Sequence, residues 1–162
     1  PLTGVLGMTE LMLKDPLPEP QRQRAETVMR AGQHLLRLVN DTLDLARIEA
    51  GRLLLQDEAF ELAALATDVG QLLRPNAQAK GLEFAVQLAP GLPPRVRGDE
   101  ARLRQILLNL GGNAIKFTER GRVALTLRPL PGGGVQFDVE DTGIGLDDAQ
   151  QRRLFQRFEQ AE

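Results

Sequence analysis

Cysteine is missing from the sequence, and with it any disulfide framework or thiolate metal site; the absence accords with a reducing compartment. Lysine is scarce, represented only by Lys14, Lys80 and Lys116. The basic residues, mostly arginine, are scattered among acids and do not cluster with aromatics, and at a net charge of −2 they give no reason to expect nucleic acid. No apolar run approaches the roughly 18–20 residues that cross a bilayer, and no signal-peptide pattern is visible. The expectation is no nucleic-acid partner and no direct membrane contact. What is present, 162 residues at 42% apolar and 26% charged, suffices for one sizeable core or two small ones.

The most informative stretch runs from 99 to 118, where two helical stripes of opposite chemistry interleave. Leu103, Leu107, Leu110, Ala114 and Phe117 recur at three-and-four spacing, which predicts one buried face. About 100° round the helix lie Arg102, Gln105, Asn109, Asn113 and Lys116, at the edge of that core. Such positions normally carry Glu and Lys, whereas Asn competes for backbone hydrogen bonds and lowers helix propensity. Asn109 and Asn113, one turn apart, therefore ask for a reason. So do Gly111 and Gly112, each costing about 1 kcal/mol relative to Ala in a helix interior. An ordinary amphipathic helix with incidental Asn is the plain alternative.

Val135, Phe137 and Val139 alternate with Gln136, Asp138 and Glu140, which predicts a half-buried strand ending at Asp141, Thr142, Gly143, Ile144 and Gly145. A carboxylate placed there can accept a hydrogen bond from an exocyclic amine such as that of adenine. Gly143 and Gly145 permit positive φ and close backbone approach to a ligand. Taken alone, the run is also what a plain turn looks like.

Elsewhere, Leu2, Leu6, Thr9 and Leu13 predict a short helix over 2–14, ended by Pro16, Pro18 and Pro20. Over 21–50, Met29, Gly32, Leu36, Val39, Leu43 and Ala46 form a heptad seam, widened by Val28 and Leu35. A two-helix hairpin cannot cover so broad a seam, so the expectation is a homodimer through residues 1–51, built as a four-helix bundle. Packing of both helices on the rest of the chain is the alternative. Leu53 and Leu55 suggest a short lead-in strand, and 61–79 a helix with Leu62, Leu65, Val69 and Leu72 on its apolar face. Leu82, Phe84, Val86 and Leu88 suggest a further strand, 95–98 an extended link, and Asp99 the N-cap of the central helix. Val123, Leu125 and Leu127 form a strand that 131–134 turn back into the one ending at Asp141, and 147–155 read as a last short helix. The order describes an α+β chain: a helical hairpin over 1–51, then over 52–162 an α/β sandwich, one mixed sheet with helices on one face.

Asn109, Asn113, Lys116 and Phe117, followed by Asp141, Gly143 and Gly145, resemble the N box and G1 box of sensor histidine kinases, which belong to the ATP-binding superfamily that includes gyrase, the Hsp90 chaperones and MutL. Residues 1–8 and 35–51 are similar to the dimerisation and phosphoacceptor hairpin of these kinases, and 154–160 to their F box. The resemblance implies ATP and Mg²⁺, with Asn113 as the metal ligand and Asn109 ordering metal or phosphates. It implies that Lys116 neutralises phosphate charge, that Phe117 lies against adenine and that Asp141 reads the adenine amine, with Gly143 and Gly145 beside it. Asn109 and Lys116 would be the catalytic pair. It further implies γ-phosphoryl transfer to a histidine and relay to an aspartate of a response-regulator receiver domain, in the cytoplasmic portion of a membrane-anchored bacterial sensor. Related ATPases carry Glu where Asn109 stands; a neutral amide cannot act as general base, which favours transfer to imidazole over hydrolysis.

By the same comparison the phosphoacceptor histidine falls five residues before Pro1, and His34, on the second helix beside Leu35, is not expected to replace it. The ATP lid and second glycine-rich box would follow Glu162. The chain is thus expected to be a piece of a longer protein, alone binding nucleotide weakly and not autophosphorylating, and its ending resembles hybrid kinases with a receiver domain. Gly111 and Gly112 depart from the more usual leucine-containing sequence and are expected to loosen the central helix. The competing expectations are a non-catalytic dimeric signalling scaffold and a hydrolytic ATPase of the same superfamily.

Overall fold

The computed structural model describes residues 1–153, the side chains at 149 and 153 excepted. It divides into two units, Pro1–Leu54 and a second beginning at Leu55. The first is a hairpin of α1 (Leu2–Lys14) and α2 (Glu19–Glu49). Pro16 and Pro18 end α1, whereas Pro20 sits in the first turn of α2, where a missing N–H leaves no intrahelical bond unmade. Thr9 and Ala25 are buried, and Leu2, Leu6, Leu13, Met29, Gly32 and Leu36 half-buried. A Cβ on Gly32 would lie 2.7 Å from Leu6 Cδ2, so this glycine sets how closely the helices approach. With 31 residues against 13, α2 rises about 46 Å and α1 about 20 Å. Within one hairpin the far half of the seam, Val39 and Leu43, stays exposed together with Leu38, Leu45 and Ile48. No helix among the described residues is long and apolar enough to cross a membrane.

The second unit contains β1 (Glu58–Glu61), α3 (Leu62–Ala79), β2 (Glu83–Leu88), β3 (Arg95–Gly98), α4 (Glu100–Phe117), β4 (Arg122–Pro129), β5 (Val135–Asp141) and α5 (Asp148–Arg153). The expected mixed sheet is present in the order β2-β4-β5, with β4 parallel to β2 and antiparallel to β5. Leu62, Leu65, Ala66, Val69 and Leu73 of α3 and Leu107, Ala114 and Ile115 of α4 bury against its inner residues Val123, Leu125 and Leu127. Arg104 of α4 bonds Glu100 at 2.6 Å and reaches Asp68 of α3 at 3.2 Å, tying the two helices at the rim.

Several expectations are corrected. Residues 95–98 are no link but strand β3, which pairs antiparallel with β1 as a separate two-stranded sheet. The lead-in strand lies not at Leu53 and Leu55 but at β1, where Phe60 supplies the buried anchor; Leu54 is 90% exposed. On α3 the inward residue is Leu73, not Leu72, and on α4 Leu110 and Phe117 are exposed, at 50% and 38%. Among the described residues the last helix is α5, and the F-box resemblance at 154–160 lies outside them.

Nor is α4 loosened, for it runs unbroken through both glycines. Gly111 is buried, and a Cβ there would fall onto Leu73 Cδ1, so its missing side chain lets α3 and α4 close together. Gly112 has nothing within 4 Å of such an atom. The neighbouring glycines should therefore respond oppositely. Gly111→Ala is expected to destabilise by about 1–2 kcal/mol, overpacking outweighing the gain in propensity. Gly112→Ala should stabilise by about 1 kcal/mol. Urea midpoints moving in the same direction for both variants would contradict this packing account.

Candidate functional site

The N-terminus of α4 is fixed by Asp99, whose Oδ1 accepts from the Arg102 backbone N–H at 2.9 Å and whose Oδ2 accepts from the Gln56 N–H at 3.1 Å. Those bonds, the Arg102 one foremost, hold its carboxyl below the usual carboxylate range. Buried residues Leu107, Gly111, Ala114, Ile115 and Thr118 then define the inward side of the helix. On the opposite side Asn109, Asn113, Lys116 and Phe117, all exposed, fall within an arc of about 100° by the helical period. Arg102 and Gln105, half-buried, bond each other through Nη1 and Oε1 at 2.9 Å. The Lys116 ammonium lies 4.9 Å from the centre of the Phe117 ring, a cation–π contact across adjacent residues.

The loop that follows β5 docks on the C-terminal turn of α4. Ile144 N–H donates to the Phe117 carbonyl at 3.4 Å, Thr142 N–H to the Arg122 carbonyl at 3.2 Å, and the Arg122 N–H to Thr142 Oγ1 at 3.1 Å. Asp141 Oδ1 accepts from Gly143 N–H at 2.8 Å, which orients the carboxylate. A Cβ on Gly143 would lie 2.5 Å from the Phe117 carbonyl oxygen and 2.8 Å from Asp141 Oδ1, so only glycine permits this docking. Gly145 has φ +68°, the left-handed region that favours glycine.

Asp141, Gly143 and Phe117 are thus brought together, with Lys116 and Asn113 within a turn of the helix end. Asn109 stands eight residues before Phe117, about 12 Å along the axis, so the arrangement is an elongated open surface whose acid lies at one end and whose distal amide lies at the other. Cavities of about 390 Å³, beside Phe60 and Arg104, and 210 Å³, beside Leu88 and Pro93, lie away from it. Among the described residues no group of three or more His, Cys, Asp and Glu could hold a metal. A hard cation at this surface would accordingly need oxygens from a ligand as well as from the Asn113 amide, which is how Mg²⁺ is commonly held beside phosphates.

Two features of the site escaped the sequence reading. Ile106, Leu110, Ile144 and Leu146 are exposed apolar residues, the first two on the outward side of α4 with Phe117. Their signal was available: apolar residues of α4 span more of the helix than one buried face requires. The second is Lys80, whose ammonium reaches the end of α4 from another helix.

Comparison with known proteins adds to this geometry. Residues 1–51 match the family described as His Kinase A (phospho-acceptor) domain, and residues 98–162 the family described as Histidine kinase-, DNA gyrase B-, and HSP90-like ATPase. The Sensory/regulatory protein RpfC of Xanthomonas campestris pv. campestris is 41% identical over 167 residues, covering 100% of this chain and 23% of that protein. The Signal transduction histidine-protein kinase BarA of Escherichia coli is 43% identical over 166 residues, covering 100% of this chain and 18% of its own length. The chain therefore spans about a fifth of the length of these curated relatives. Among solved structures, full-length ShkA in complex with AMPPNP superposes with a TM-score of 0.82 at 43% identity, over 99% of this chain and 34% of that one.

Proposed function

We propose, for a chain that belongs to the sensor histidine kinases through its paired phosphoacceptor and ATPase domains, that the surface formed by α4 and the loop after β5 binds magnesium–ATP for phosphoryl transfer to a histidine. The observation that carries this reading is the docking of the Asp141 loop on the α4 turn bearing Lys116 and Phe117, with Asn113 and Asn109 outward along the same helix. Asp141, one oxygen held by Gly143, offers the other to the adenine amine. Phe117 presents its ring to the base, and Gly143 and Gly145 keep the loop free of side chains there. Lys116 neutralises phosphate charge as a point cation. Asn113 supplies an uncharged oxygen to Mg²⁺, and Asn109 orders metal or phosphates further along.

ATP supplies the γ-phosphoryl group and Mg²⁺ neutralises charge on its oxygens. The chain's own part is to bind, orient and refrain from activating water. Asn109, being neutral, cannot deprotonate a water, which favours an imidazole nucleophile over hydrolysis. Residues 1–51 are the dimerising phosphoacceptor hairpin and 52–162 the ATP-binding domain; the exposed far seam of α2 fits a second copy, forming a four-helix bundle. A response-regulator receiver domain would take the phosphate onward, in the cytoplasmic portion of a membrane-anchored bacterial sensor.

Calorimetric titration with magnesium AMPPNP tests the core of the reading, with a single site per chain as the expected result. Absence of binding at millimolar nucleotide would remove it. Radiolabelled ATP, given to a chain extended to include the preceding segment, then separates kinase from scaffold: an acid-labile, base-stable phosphoprotein is expected.

A further inference from the structure

Lys80 stands where α3 ends, and its backbone is held by a compact set of bonds. Leu82 N–H donates to the Ala77 carbonyl and Gly81 N–H to the Gln78 carbonyl, both at 2.9 Å, with Gly81 at φ +70°. These are the paired bonds of a Schellman motif, sealed by buried Ala77 and Leu82. Lys80 therefore projects from a fixed point, three residues before β2 begins.

From that point its ammonium donates to the carbonyls of Ile115 at 2.8 Å, Lys116 at 2.8 Å and Thr118 at 3.1 Å. An ammonium has three donors, and here the carbonyls at the end of α4 take all of them. Those oxygens are the groups a helix C-terminus leaves without intrahelical partners, where the dipole also favours a cation. The Phe117 carbonyl between them is taken by Ile144 N–H, and the Ala114 carbonyl by Thr118 Oγ1 at 2.7 Å. Every carbonyl from Ala114 to Thr118 is thus occupied, that of Ala114 by Thr118 and the rest by Lys80 on one side and the Asp141 loop on the other.

We infer that Lys80 is a positioning residue for the nucleotide surface: by clamping the carbonyls of Ile115, Lys116 and Thr118 it fixes the turn that presents Lys116 and Phe117 and receives the Asp141 loop. With its donors engaged, Lys80 is not a phosphate ligand; the two lysines divide the work, Lys116 toward the ligand and Lys80 toward the helix. This inference rests on the nucleotide reading above and deepens it.

The test compares the full chain with Lys80→Met, Lys80→Arg and Val69→Ala, the last a core change in α3 that lowers stability away from the surface. Magnesium AMPPNP is titrated calorimetrically at a temperature where circular dichroism shows every protein folded. Lys80→Met is expected to weaken binding by about tenfold or more, the scale at which displaced supporting groups are felt, with Lys80→Arg recovering part of the loss. Val69→Ala should lower the melting temperature and bind as the unmodified chain does. Equal affinity in Lys80→Met and the unmodified chain, or a Lys80→Met loss matched by Val69→Ala, would overturn the inference while leaving the nucleotide reading intact. An unmodified chain that does not bind would overturn both.

Discussion

Asp141→Asn is expected to shift base preference from adenine toward guanine and to weaken AMPPNP binding by roughly 10- to 150-fold, the scale of about 1.5–3 kcal/mol for a hydrogen bond to a charged group. The substitution keeps the shape of the side chain and one carbonyl oxygen, so Gly143 N–H retains the acceptor it meets at 2.8 Å and the loop stays docked on Phe117. What changes is the other oxygen, replaced by an N–H₂ group. Adenine presents an amine at its sixth position, so two donors would then face each other. Guanine presents a carbonyl there, which the new amide can satisfy. The ratio of AMPPNP to GMPPNP affinity should therefore fall, through loss of the first and gain of the second. Because Asp141 is exposed, the melting temperature should hardly move, as is usual for surface changes. An equal loss for both nucleotides would show that Asp141 does not read the base, and a large drop in melting temperature would show that it serves the loop alone.

How far the chain could be read before its coordinates depended on whether the deciding contact was local. The bounds of α4 were legible to within a residue, since Asp99 is a strong N-cap and the apolar period runs without interruption. Which residues of α4 face inward was less so. Three-and-four spacing admits neighbouring stripes, and the true one passes through Gly111, whose buried state carries no hydropathy signal because it arises from Leu73 filling the space. The same ambiguity placed Leu72 inward in place of Leu73. β1 and β3 have four residues each, too few for alternation to show, and each exists because the other pairs with it across some 37 positions. Lys80 was invisible for a like reason: its partners lie 35 to 38 residues on. The candidate site residues stand out in the sequence since they break local rules, Asn where a helix prefers Glu or Lys and Gly where a strand gives way to a loop.

Asn113→Ala turns that conflict between function and local preference into a measurement with two opposite signs. Asn is among the poorer helix formers and Ala the best, so at an exposed position within α4 the change should raise stability by about 0.5 kcal/mol. If the amide oxygen is the protein's contribution to a magnesium held otherwise by phosphate and water, its loss should cost about 10- to 100-fold in nucleotide affinity when Mg²⁺ is present. With EDTA in place of Mg²⁺, the variant and the unmodified chain should bind AMPPNP alike, weakly. The contrast between the two conditions isolates the metal, since loss of a direct contact to base or phosphate would persist in EDTA. Asn109→Ala provides the comparison one turn earlier: it should gain the same helical stability and retain most of the magnesium dependence. If the magnesium dependence instead survives in Asn113→Ala and vanishes in Asn109→Ala, the metal belongs to the distal amide, and the phosphates lie a turn further from Asp141 than proposed here.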